Sequence, residues 1–126
     1  MSCYLAIDIG TTNTKVLALT ANGRAEVISA APTPVYTESG VSYFDMTRLA
    51  RELETAVDIA RGRCEVKGIG FSSIGESVVP LDESGAPLSD PIVWYDKVTL
   101  ETAQELLLRR DCLFPYTERG LQSEHT

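Results

Sequence analysis

The chain has 126 residues, 44% of them hydrophobic and 23% charged, which suffices for one modest core and one domain. A formal net charge of −7 argues against nucleic acid and anionic membrane partners, because their phosphates are repelled by so acidic a surface. No stretch approaches the roughly 20 apolar residues of a membrane span, and no basic leader precedes the first apolar run, so a cytoplasmic location is expected.

The chain goes almost at once into strands. Residues 4–9 (YLAIDI) and 15–20 (KVLALT) read as two β-strands joined by the loop GTTNT. Asn22-Gly23 marks a tight turn into a third strand over 24–31, since both residue types tolerate positive φ. Pro32 and Pro34 close this meander, and the stretch from there to Asp45 reads as irregular. Asp45 or Thr47 caps a helix over 47–61, with Leu49, Leu53, Ala56, Val57 and Ala60 on one face. A fourth strand, VKGIGFSS, and a fifth, ESVVPLD, follow, and the fifth ends in the turn DESG. GAPLSDPIVWYD is extended and punctuated by proline, and helical spacing returns from Thr99 to Arg110. Strands, a crossover helix and more strands predict an α/β mixed sheet with flanking helices. The tail FPYTERGLQSEHT has no second half of a domain behind it, so residues 1–126 are expected to be a single, incomplete domain.

The cysteines, Cys3, Cys64 and Cys112, are odd in number and widely spaced, with no CxxC and no Cys/His cluster. Reduced thiols are the expectation, with neither a disulfide framework nor a zinc site.

Chemistry concentrates in the first loop. Gly10 lets a phosphate oxygen approach the backbone closely. Thr11, Thr12, Asn13 and Thr14 offer hydroxyl, amide and backbone donors within one turn, and Lys15 adds a positive charge. Asp8 would repel phosphate unless a cation intervenes, and Mg²⁺, held by one or two carboxylates, water and phosphate oxygens, resolves that conflict. These residues read either as a grip for Mg-triphosphate or as a polar hairpin loop of strand-favouring threonines. The pattern GxxxxGK(S/T) is absent, and no GxGxxG follows a strand.

DIGTTNTK resembles the first phosphate motif of the large actin-like ATPase group, which includes sugar kinases and heat-shock chaperones. The later stretch GIGFSSIGESVVPLDESGAPLSDPIVWYDKVT resembles the FGGY carbohydrate kinases, and TERGL near the end is similar to a stretch that follows it in that family. The resemblance runs through essentially the whole chain in the right order. It implies a ribonuclease-H-like (actin-like ATPase) fold, of which this chain is the first part of the N-terminal domain. It also implies transfer of the γ-phosphate of ATP to a hydroxyl of a ketose or polyol, with ATP and Mg²⁺ as cofactors.

By position, Asp8 resembles the family's magnesium-holding acid. Thr11, Thr12 and Asn13 match phosphate-contacting positions, and Lys15 matches a basic residue near the phosphates. Gly75 and Glu76 fall where the family contacts substrate; members acting on glycerol tend to have Arg-Glu there, and ketopentose kinases tend to have Met-His. Gly-Glu keeps the acid and drops the arginine. Trp94 reads as a stacking face for sugar or as core, and Asp96 as a hydroxyl acceptor or a helix cap. His125 lies near a further sugar-contacting position. The resemblance puts the family's catalytic aspartate and adenosine-binding segments beyond Thr126, with no counterpart here, so the chain alone is expected to be inactive. A partial domain that exposes apolar surface points to self-association, with a homodimer as the form to test. Two other readings stay open: an actin-like ATPase module driven by nucleotide state, and a domain that binds without catalysis.

Overall fold

A computed structural model describes residues 1–109. Several expectations lie outside the described residues: TERGL, His125, and the predicted end of the second helix at Arg110. So does Thr126, the position after which the resemblance puts the catalytic base. The described chain divides into two compact units, Met1–Val35 with Phe44–Glu76, and Tyr36–Tyr43 with the described residues from Ser77 onward.

In the first unit, β1 (Ser2–Ile9), β2 (Asn13–Thr20) and β3 (Ala25–Pro32) form the antiparallel meander. Its second turn is closed by Thr20 N–H to the Arg24 carbonyl at 2.9 Å, with Gly23 at φ +80°. β2 starts at Asn13, so the first loop contracts to Gly10–Thr12. Helix α1 (Met46–Arg61) begins at its N-cap Asp45, whose Oδ1 accepts the Arg48 N–H at 2.9 Å. The chain then returns through β6 (Glu65–Ser73), which pairs with β1 in parallel. The four-stranded sheet has the order β3-β2-β1-β6, which is the mixed sheet expected.

Alternation along β1 and β2 decides which face meets the helix. Cys3, Leu5 and Ile7 on β1, with Val16 and Ala18 on β2, are buried against Ala56 and Ala60 of α1. The opposite sheet face carries Tyr4 and Leu19, and it also carries Asp8 and Lys15, cross-strand partners that are both exposed. On the helix side, Ile69 and Phe71 of β6 lie beside Leu5 and Ile7 and are 42% and 67% exposed. They border a groove lined also by Leu53 and Val57.

One expectation is overturned by a long-range contact. Cys3 and Cys64 form a disulfide, with Cα atoms 5.9 Å apart and a sequence separation of 61. They sit at the start of β1 and just before β6, the neighbouring parallel strand. Spacing along the chain says nothing of strands that become neighbours only through a crossover, so the pair was invisible in the sequence.

The second unit corrects two further expectations. The segment read as irregular holds a hairpin, β4 (Val35–Glu38) and β5 (Val41–Phe44). Ser39 and Gly40 between them have φ of +51° and +80°, the sign that a type I′ hairpin turn demands at both central positions. Within this unit Tyr36 and Tyr43 stack at 5.4 Å, and the Tyr36 hydroxyl donates to Asp90 Oδ2 at 3.1 Å. The fifth strand predicted over ESVVPLD does not form. Only an isolated bridge, Leu81 to Pro87, is made there, around the turn closed by Asp82 N–H to the Ala86 carbonyl at 2.8 Å. Pro80 offers no N–H to a ladder, and Val78 is 77% exposed. Helix α2 (Lys97–Leu108) completes the described chain and begins two residues earlier than its spacing predicted.

Candidate functional site

β1 ends in Asp8-Ile9, and the chain reverses over Gly10-Thr11-Thr12 into Asn13. The reversal is tight. Gly10 N–H donates to the Asn13 carbonyl at 3.0 Å, and a Cβ built on Gly10 would lie 2.8 Å from that same oxygen. Glycine is therefore required here for space, independently of any ligand.

Asp8 and Lys15 face each other across the β1–β2 ladder, yet no ion pair joins them among the described residues. Nor does either side chain have a hydrogen-bond partner there, so a carboxylate and an ammonium stand available on one sheet face beside the turn. Thr11 is half-buried, Thr12 and Asn13 are exposed at the turn, and Thr14 is buried beneath it.

The parallel pairing of β1 and β6 brings a second predicted segment to the same place. Ile9 lies opposite Ser73, and Ile74 N–H donates to the Ile9 carbonyl at 3.1 Å. Gly75 and Glu76 follow directly and are exposed. Both segments thus leave the carboxyl ends of adjacent strands, the edge at which open α/β sheets bind ligands. A Cβ on Gly75 would meet nothing within 4 Å, so packing does not demand glycine at that position. The Glu76 carboxylate has no hydrogen-bond partner among the described residues.

Trp94 and Asp96 belong to the other unit. The indole is half-buried and meets the Tyr95 ring edge-on at 5.5 Å. Asp96 is the N-cap of α2: Oδ1 accepts the Val98 N–H at 2.9 Å and Oδ2 accepts the Ser42 N–H at 2.8 Å. Those bonds, the Val98 amide foremost, hold its pKa below the usual carboxylate range. The geometry gives Asp96 the capping role directly; contact with a sugar hydroxyl would have to use its remaining lone pairs.

Magnesium bound chiefly through phosphate oxygens and water needs only one or two carboxylates. Asp8, exposed at a strand end and without a partner among the described residues, fits that donor set. Among the described residues no cluster of three or more His, Cys, Asp or Glu side chains could hold a metal by itself. One participant escaped the sequence: Thr33, which is buried and bonded to the turn. Nothing in a TP dipeptide after a strand signals that role.

A profile of the FGGY family of carbohydrate kinases, N-terminal domain, matches residues 3–126. A glycerol kinase of Aquifex aeolicus is 32% identical over 111 residues, covering 84% of this chain and 23% of its own. A gluconokinase of Bacillus subtilis is 32% identical over 99 residues, covering 75% of this chain and 19% of its own. Among solved structures, a ligand-bound xylulose kinase from Lactobacillus acidophilus superposes with a TM-score of 0.71 at 22% identity, covering 86% of this chain and 23% of that one. The chain thus spans about a quarter of the length of the relatives it matches.

Proposed function

We propose, from the premise that this chain belongs to the FGGY family of carbohydrate kinases, that it supplies the phosphate-gripping edge of an ATP-dependent kinase for a ketose or polyol hydroxyl. The observation that carries this reading is the β1–β2 turn, closed tightly at Gly10 and bordered on one sheet face by a carboxylate and an ammonium that have no partner among the described residues.

In phosphoryl transfer the protein acts mainly by positioning and by stabilising charge on the transferred group. Thr11, Thr12 and Asn13 present polar groups at the turn toward the phosphates, and Lys15 offsets their negative charge. Asp8 would hold Mg²⁺, which when bound neutralises phosphate charge. Glu76 leaves β6 beside this turn and can accept two hydroxyl hydrogen bonds from a polyol. Gly75 leaves room where some relatives by resemblance carry arginine. In the other unit, taken by itself, Trp94 is by resemblance the stacking candidate for sugar, and Asp96 caps the helix that follows it.

Calorimetric titration of the 126-residue chain with magnesium tripolyphosphate, and separately with glycerol and ketopentoses, tests the reading. Magnesium-dependent binding that shifts the backbone amides from Gly10 to Lys15 is expected. Glu76→Gln should weaken polyol binding by about one to two decades, from loss of charge-assisted hydrogen bonds of roughly 1.5–3 kcal/mol. Tripolyphosphate binding that leaves those amides unshifted would show that the grip lies elsewhere.

A further inference from the structure

The shape of the β1–β2 turn is held by a residue outside both strands. Thr33 follows β3 by one position and is 6% exposed. Its N–H donates to the Thr12 carbonyl at 2.9 Å, and its hydroxyl donates to the Gly10 carbonyl at 2.6 Å. A hydroxyl carries one proton. The 2.9 Å contact between the Thr14 and Thr33 hydroxyls must therefore run from Thr14 to Thr33. The relay has a fixed direction: Thr14 to Thr33 to Gly10.

Its consequence is electrostatic. With Gly10 N–H on the Asn13 carbonyl, the carbonyls of Gly10, Thr12 and Asn13 are each engaged by a protein donor. Carbonyl oxygens are the negative ends of the peptide dipoles and repel phosphate, so engaging them removes the main obstacle that a bare turn offers an anion. Thr33 is itself pre-set. Pro32 and Pro34 flank it, the second restricting Thr33 to extended backbone, and the Pro34 carbonyl accepts the N–H of Asp45, the cap of α1.

We propose that Thr33 is a positioning residue of the phosphate turn, holding Gly10 and Thr12 in the anion-accepting shape without touching phosphate. This rests on the phosphate-binding reading above and extends it to a residue outside the motif. The test titrates magnesium tripolyphosphate into the 126-residue chain and its Thr33→Val, Thr33→Ser and Thr14→Val variants, reading heat and backbone amide shifts. Thr33→Val should weaken binding roughly tenfold and shift the Gly10–Asn13 amides in the unliganded protein. Thr33→Ser keeps the hydroxyl and should restore the affinity, a rescue that a purely space-filling role would not produce. Thr14→Val leaves the Thr33-to-Gly10 bond in place and should cost only severalfold. Unchanged affinity in Thr33→Val, or a Thr33→Ser variant as weak as it, overturns the assignment. If Thr33→Val does not fold, Thr33→Ala, which also removes the hydroxyl, is read in its place, and wild-type affinity in it overturns the assignment. A wild-type chain that ignores tripolyphosphate overturns the phosphate reading itself, and Thr33's role with it.

Discussion

Replacing Gly10 by alanine probes the turn where it is tightest. The new Cβ would sit 2.8 Å from the Asn13 carbonyl oxygen, against an ordinary contact of 3.4 Å or more, so about 0.6 Å must be found. Backbone has to give, because the obstacle is not the end of a flexible side chain. Asn13 opens β2 and is paired with Pro32, while the Gly10 carbonyl is held by Thr33. The element with most freedom is the bond from Gly10 N–H to the Asn13 carbonyl, 3.0 Å long. Losing it costs about 1 kcal/mol, and straining the Thr33 contact adds a comparable amount. A total of roughly 2 kcal/mol corresponds to about a thirtyfold loss of tripolyphosphate affinity. The same loss falls on the folded state, so the melting temperature should also drop by roughly 5–10 °C. Calorimetry against magnesium tripolyphosphate, beside thermal unfolding, separates the two effects. A folded Gly10→Ala chain with wild-type affinity would refute the claim that closure of this turn makes the site.

Three other outcomes follow from the structure. Asp8→Asn keeps the shape and removes the charge, so the magnesium-dependent gain in tripolyphosphate affinity should fall roughly tenfold or more, while stability changes by less than about 0.5 kcal/mol because the side chain is exposed and unpaired. Reducing the Cys3–Cys64 bridge, with a sequence separation of 61, should lower the unfolding free energy by up to about 4 kcal/mol on the chain-entropy account, read from urea curves with and without reductant; coincident curves would mean the bridge does not form. Asp96 has a depressed pKa in the fold, so its contribution is fully present above the unfolded value of about 3.9 and is lost as pH falls through the lower folded value. The gap in melting temperature between wild type and Asp96→Asn should therefore narrow below about pH 4, and a gap independent of pH would contradict it.

Elements that follow local physics were legible. Alternation in YLAIDI and KVLALT, the Asn22-Gly23 turn and the apolar face of α1 each appear where residue spacing puts them. Boundaries moved where partners extend an element: Ser2 and Cys3 join β1 because Glu65 and Val66 lie beside them. The β4–β5 hairpin was missed because VYTESGVSYF mixes polar and apolar residues without clean alternation, although its Ser-Gly pair carries the turn. ESVVPLD had the composition of a strand but finds no ladder partner among the described residues. At the candidate site, chemical type singles out Asp8, Gly10 and Lys15 as the residues to test. Thr33 and the Cys3–Cys64 pair could not be singled out in this way, since both act through contacts between segments distant in sequence.

The disulfide and the candidate phosphate turn lie at opposite ends of β1, and β6 runs beside it between the same two ends. Cys3 and Cys64 join β1 and β6 where they begin, while Gly10 and Gly75 leave from where they finish. At about 3.3 Å per residue the two ends stand roughly 20 Å apart. Strands fastened covalently at one end behave as tweezers with a fixed pivot. A small splay at the pivot is magnified at the tips, so thermal opening is concentrated at the edge that carries the candidate site. Amide exchange should then quicken steadily from Cys3 toward Ile9 and from Val66 toward Ser73, a gradient of mobility running along two otherwise continuous strands.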